Sequence, residues 1–207
     1  MEILYKNSDI IVVIKPAGVS SEETDGLNMH ALIRESIGAK EVFTVHRLDN
    51  VTSGVMVYAL NKRAAAFLSS QITDNTFIKE YLAVVHGSVT PASGIMEDLL
   101  FKDSRKNKSF VVKRERKGVK KASLEYSVLE DRDKLSLVKI RLHTGRTHQI
   151  RVQFASRKHP VYGDGKYGAS DNIPFIALFS HSLTFIEPES RELRSFFAPK
   201  PDWEFFR

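Results

Sequence analysis

Ala122-Ser123-Leu124-Glu125-Tyr126-Ser127-Val128 places an apolar residue at every second position with a polar one between. That two-residue period is the mark of a strand with one buried face. Val138, Ile140 and Leu142 repeat it. Working outward, residues 77–85 are apolar on both faces, as a central strand is, and residues 53–60 are strand-like too. Residues 9–14 form a β-branched run closed by Lys15-Pro16-Ala17-Gly18, which reads as a buried strand followed by a turn. Two more strands are expected at 175–186 and 193–197. Helices are fewer. Residues 27–37 suit a short one, and Asn61 suits the cap of another in which Ala64, Leu68 and Ile72 recur at fourfold spacing. Thr147 stands where the cap of a third belongs, with Ile150 and Phe154 one turn apart and an end before His159-Pro160. Strands predominate without a regular strand-helix-strand rhythm. The class is therefore α+β, a mixed, largely antiparallel sheet with flanking helices.

A chain of 207 residues that is 42% hydrophobic buries one substantial core, or two small subdomains sharing a sheet. There is no internal repeat, low-complexity tract or Pro/Ser-rich linker, so a single domain over residues 1–207 is expected. Residues 1–9 carry no basic region ahead of an apolar stretch, and the apolar run at 10–14 is too short to cross a bilayer. A cytoplasmic protein without membrane attachment is the expectation. Zero cysteines exclude a disulfide framework, a thiol nucleophile and a thiolate zinc site. The seven histidines include no H-E-x-x-H pair, so no metal is expected, and the absence of a G-x-S-x-G elbow removes support for serine hydrolysis. Gly163-Asp164-Gly165-Lys166-Tyr167-Gly168 matches the dinucleotide fingerprint, and Glu187 follows at a suitable distance. That fingerprint needs a strand before it and a helix after it, whereas here a helix and His159-Pro160 come first. The glycines read as a turn, and no nucleotide cofactor is expected.

Net charge is +6 with a pI near 9.4. The excess is local: residues 102–121 hold ten Lys/Arg against Asp103 and Glu115, more than the whole net charge of the chain. Such a stretch serves either as a solvated, solubilising hairpin or as a phosphate-binding surface. Phe110-Val111-Val112 interrupts it as an expected strand, which presents cations in rows and favours phosphate. Lys113, Arg114, Arg116 and Lys117 are the candidate contacts.

Three blocks remain: His46-Arg47-Leu48-Asp49 with Thr52-Ser53-Gly54, then Lys79-Glu80-Tyr81-Leu82-Ala83, then Gly145-Arg146-Thr147-His148-Gln149-Ile150-Arg151. They supply one acid, one aromatic and one distant arginine, enough to attack a nucleobase glycoside without metal or cofactor. Alone, Tyr81 reads as a core residue and Arg151 as a surface helix charge. In this order the set resembles the pseudouridine synthases, in the branch that isomerises uridines of bacterial large-subunit ribosomal RNA and of tRNA, and the likeness runs from Lys15 to near Phe196.

The resemblance implies a catalytic cleft across the middle of the sheet, with the glycine-rich turn at its rim. It implies Asp49 as the essential carboxylate, held charged by Arg151 through ion pairing and bidentate hydrogen bonds against the desolvation that would otherwise neutralise it. Tyr81 would stack on the extruded uracil and assist proton removal at C5. Ile150, Leu178 and Phe179, with Leu48, are candidate apolar walls. Arg47 would fill the gap left by the flipped nucleotide. His46 touches a backbone phosphate or hydrogen-bonds within its loop, and Lys15 approaches RNA. The implied partner is RNA, and a monomer is expected; many relatives carry a small RNA-binding domain ahead of the catalytic one, whereas here no separate N-terminal RNA-binding domain is expected. Gln153 stands where many relatives have histidine. A non-catalytic RNA-binding module has no need of both Asp49 and Arg151, and a nucleoside glycosidase has less use for the basic stretch.

Overall fold

The β-branched run folds as β2 (Ile10–Lys15), buried over almost its whole length. It is flanked antiparallel by β1 (Glu2–Lys6) and by β4 (Ser53–Ala59). The computed structural model describes residues 1–201 and 203, which form two compact units. The first comprises Met1–Lys79 and Phe179–Lys200. Its strands lie in the order β1-β2-β4-β10, where β10 is Leu178–Ile186, and β11 (Leu193–Phe197) pairs with β10 off this path. A short β3 (Phe43–Thr44) also pairs with β4. The β4–β10 pairing is parallel, the others antiparallel. Gly54 makes that parallel contact possible: at φ +123° a Cβ would overlap the Ser180 carbonyl of β10.

Helix α1 (Met29–Ile37) is capped by Asn28, and α2 (Lys62–Thr73) by Asn61, whose side-chain oxygen accepts from the Ala64 N–H at 2.9 Å. Ala64 and Leu68 face inward as their spacing predicts. The third inward residue is Gln71 rather than Ile72. Its amide donates to the Ile186 carbonyl (2.9 Å) and accepts from the Ile186 N–H (2.8 Å). A half-buried strand end thus has its backbone polarity satisfied by a buried helix side chain.

The second unit contains Glu80–Leu178. Strand β5 (Ile78–His86) starts at the junction, and the order is β5-β9-β8-β6-β7 with every pairing antiparallel. Here β6 is Ser93–Asp103, β7 Lys108–Val112, β8 Val119–Arg132 and β9 Leu135–Leu142. On β8 the alternating residues Ala122, Leu124 and Tyr126 are all buried. Helix α3 (Gln149–Ser156) packs Val152 onto Leu100, Ala122 and Tyr167. The expected cap at Thr147 gives way to His148, which sits in the left-handed region at φ 54° and makes no side-chain cap bond. Entry to the helix is secured instead by the Gln149 side-chain oxygen, which accepts from the Arg146 N–H and the Thr144 hydroxyl.

The α+β class with a mixed, largely antiparallel sheet is what the sequence predicts. Strands β1, β3 and β6 were not anticipated, and the strand expected from residue 175 begins at Leu178. Among the described residues no helix is long and apolar enough to cross a membrane.

Candidate active site

Asp49 lies in the loop between β3 and β4, half-buried, and its carbonyl accepts from the Thr52 N–H at 3.0 Å to close a tight turn. The Lys15–Ser21 segment straps this loop down. The Ser21 hydroxyl donates to the Leu48 carbonyl (2.6 Å) and accepts from the Leu48 N–H (3.2 Å), while the Gly18 N–H donates to the Asn50 carbonyl (2.8 Å). Each bond fixes a residue next to Asp49, so the carboxylate is placed by the backbone on both sides of it.

Lys15 is not a surface cation approaching RNA. It is fully buried, and its ammonium donates to the carbonyls of Val19 (2.7 Å), Pro16 (2.8 Å) and Asn50 (3.3 Å). Burial lowers its pKa to about 8 against the attraction of Asp49, so near neutrality it is a cation facing the candidate nucleophile. Between about 8 and its ordinary 10.5 the unfolded chain holds a proton that the folded chain has lost, so stability from this group rises with pH. In denaturant unfolding the stability of wild type relative to Lys15→Met should be level below that window and rise as pH climbs through it. A constant difference would mean that Lys15 keeps its proton throughout.

His46 is buried, and its Nε2 accepts from the Val57 N–H at 3.3 Å. Burial, reinforced by the Lys79 cation, lowers its pKa to about 3. The ring is therefore neutral and enclosed, which favours the internal hydrogen bond of the two readings open from the sequence, with its partner on β4 and not within the loop. Arg47 points outward, paired with Glu22 at 2.8 Å, both side chains more than half exposed. An exposed pair of this kind holds a side chain by no more than ~1 kcal/mol, so Glu22 parks Arg47 without locking it. Leu48 and Phe179 are buried in this same unit.

In the second unit Tyr81 is buried on β5 opposite Ile140 of β9, and Ile150 and Leu178 are buried as well. Arg151 is 5% exposed on α3, all of whose residues from Gln149 to Phe154 are buried. A guanidinium at that depth demands a carboxylate, and Asp164 supplies one. Asp164 is 1% exposed and accepts from Arg151 Nε at 2.6 Å and Nη2 at 2.8 Å, a bidentate grip. The guanidinium carbon also lies 5.1 Å from the centre of the Tyr167 ring. The guanidinium has donors beyond the two that Asp164 takes.

Asp164, the carboxylate that holds Arg151, is the residue of the candidate site that the sequence motifs do not announce. It stood in plain sight between Gly163 and Gly165, in a segment read only as a turn. Gly163 permits its placement: at φ +82° a Cβ there would strike the Phe175 carbonyl. The Asp171 carboxylate holds the same turn, accepting from the Gly163 N–H (2.7 Å) and lying 2.8 Å from His86 Nε2.

Tyr167 joins this turn to the basic hairpin. Its hydroxyl accepts from the Ser109 N–H of β7 (2.9 Å) and lies 2.9 Å from His148 Nδ1, and the Lys108 ammonium stands 4.9 Å from its ring centre. Phe110 to Val112 form a strand as expected, and Lys113, Arg114, Arg116 and Lys117 are exposed in the turn that follows it. Gln153 is fully buried and donates to Asp98 Oδ2 at 2.7 Å, the same carboxylate that Arg157 grips. Asp49 belongs to the first unit, and Tyr81 and Arg151 to the second.

A family model described as RNA pseudouridylate synthase matches residues 9–156. The chain belongs to that family. Members of the RNA pseudouridylate synthases are isomerases that act on uridine in RNA. An uncharacterised RNA pseudouridine synthase of Bacillus subtilis is 34% identical over 98% of this chain and 70% of its own length. A Borreliella burgdorferi protein named ribosomal large subunit pseudouridine synthase D is 34% identical over 87% of this chain and 59% of its own length. The chain thus spans between about three fifths and seven tenths of these relatives. Among solved structures, human RNA pseudouridylate synthase domain containing 1 superposes with a TM-score of 0.81 at 27% identity, covering 97% of this chain and 83% of that one. The matched span of the RNA pseudouridylate synthase model includes Asp49, Tyr81 and Arg151 and stops short of Asp164.

Proposed function

We propose that this chain isomerises particular uridines of a structured ribosomal or transfer RNA to pseudouridine, as a cytoplasmic monomer needing no metal or nucleotide cofactor. Asp49 is the essential carboxylate. It attacks ribose C1′ or the base, or takes a ribose proton, so that the bond from C1′ to N1 breaks, the uracil turns, and a new bond forms from C1′ to C5. Tyr81 presents its ring to the uracil and its phenol to the C5 proton. Arg151 supplies the guanidinium that the family motif pairs with this carboxylate, and Ile150, Leu178 and Phe179 supply apolar surface. Arg47, released from Glu22, offsets the stacking lost when the base is extruded, a cost of a few kcal/mol. The basic turn at Lys113, Arg114, Arg116 and Lys117 grips phosphate.

One observation carries this reading beyond the family match. Arg151 is buried with a bidentate carboxylate holding it in one orientation, an arrangement that a plain RNA-binding module has no use for and that costs desolvation to maintain. Mapping pseudouridines across total RNA from cells with and without the gene tests it. Loss of particular sites identifies the substrate as ribosomal or transfer RNA, and an unchanged map leaves only the binding role.

Replacing Lys113, Arg114, Arg116 and Lys117 together by glutamine should lower RNA affinity and flatten its salt dependence. Four lost phosphate contacts correspond to a change of about 3 in the slope of log affinity against log salt. An unchanged slope by filter binding would make the turn a solubilising element only.

A further inference from the structure

The registers of β6, β7 and β8 sort their side chains onto two faces. Leu100, Val111 and Ala122 point inward and pack with Val152 and Tyr167. The pairs Phe101↔Phe110, Leu99↔Val112, Phe101↔Val119 and Leu99↔Lys121 put a second set on the outer face. There Phe110 is 37% exposed, while Leu99, Phe101, Val112 and Val119 are half-buried. The turn after β7 brings Arg116 back over this face, its guanidinium carbon 4.7 Å from the centre of the Phe101 ring. Glu115 lies 3.6 Å from Lys121, and an open depression remains between the turn, Leu99 and Val119.

An apolar strip with exposed aromatic surface therefore runs through the most basic stretch of the chain. Exposed rings favour a flat apolar ligand, and crowded cations favour an anionic one. A nucleotide is both at once. A second copy of this chain would set one basic strip against another, and like charges disfavour it. We propose that the outer face of β6, β7 and β8 is a stacking platform for an unpaired RNA base, which lies on Phe110 while Arg116 and Lys121 meet the phosphates beside it. The inference rests on the RNA-acting function above and adds a contact outside the uridine-isomerising residues: a base-stacking surface on a hairpin otherwise credited with charge alone.

Binding of a short fluorescein-labelled oligouridylate, and of the same length of abasic strand, separates stacking from charge. Phe110→Ala should weaken oligouridylate binding about tenfold, within the range for losing one base–aromatic stack. It should leave abasic binding and the salt slope as in wild type, and Phe110→Trp should restore affinity. Equal oligouridylate affinity for Phe110→Ala and wild type overturns the proposal. So does equal weakening on both strands, which makes the defect one of charge or folding. A changed sedimentation coefficient with RNA binding intact also overturns it, and makes the face a self-association surface. Since the assay reads binding, its failure would leave pseudouridine formation by Asp49 standing, and failure of that chemistry would leave the platform standing.

Discussion

Asp49→Asn should bind RNA as wild type does and form no pseudouridine. The substitution preserves shape. The loop is held through the backbone of Leu48 and Asn50 by the Ser21 hydroxyl and the Gly18 N–H, bonds that do not depend on the Asp49 charge, so its position survives. What disappears is the anionic oxygen that attacks or accepts a proton. Removing a nucleophile from sites of this kind costs about 10⁴-fold or more in rate, which here leaves nothing measurable. RNA labelled with tritium at C5 of uridine reports the reaction directly, because that hydrogen is lost when the new bond forms at C5. Tritium release by Asp49→Asn at the wild-type rate would move the essential carboxylate elsewhere.

The second large effect belongs to Asp164. Asp164→Asn removes the charge that compensates the buried Arg151 guanidinium while keeping nearly the same volume. Breaking one half of a buried pair costs about 3–5 kcal/mol, because the survivor is left charged in a poor solvent. Urea unfolding should show a correspondingly lower midpoint, and activity should fall by ~10² even at temperatures where the variant is folded, because Arg151 no longer has one orientation. Arg151→Lys makes the complementary case: a point charge cannot span two carboxylate oxygens, so activity should fall although charge is retained. If Asp164→Asn is as stable and as active as wild type, the pair is ornamental and the positioning role is lost.

The strands that could be read in advance are those whose environment is simple. In β2 both faces are buried, and in β8 one is, so composition alone reports them. Strand β6 was missed because its sequence mixes the two signals. Ile95 is 66% exposed on the outer face, while Asp98, which would be expected outside, turns inward to pair with Arg157 and Gln153. The alternation holds at Met96, Glu97 and Leu100 and is inverted at Ile95 and Asp98.

The candidate site divides the same way. Asp49, Tyr81 and Arg151 lie in contiguous motifs and were legible as such. Lys15 and Asp164 were not, because their importance comes from burial beside partners distant in sequence: Lys15 beneath the Asp49 loop, Asp164 thirteen residues past Arg151. For His46 the sequence leaves a phosphate contact and an internal hydrogen bond equally open, since no local pattern announces that its ring is enclosed with Lys79 nearby.

Tyr167 has a consequence for redesign. Its hydroxyl meets Ser109 at the base of the basic hairpin, and its ring lies against the Arg151 guanidinium. A chimera that swaps the hairpin to retarget the enzyme should therefore be spliced beyond Ser109, carrying over the turn from Lys113 onward and keeping the native stem. A graft cut one strand earlier would replace the footing of Tyr167 and unsettle the arginine, so that a gain in address would come with a loss in turnover.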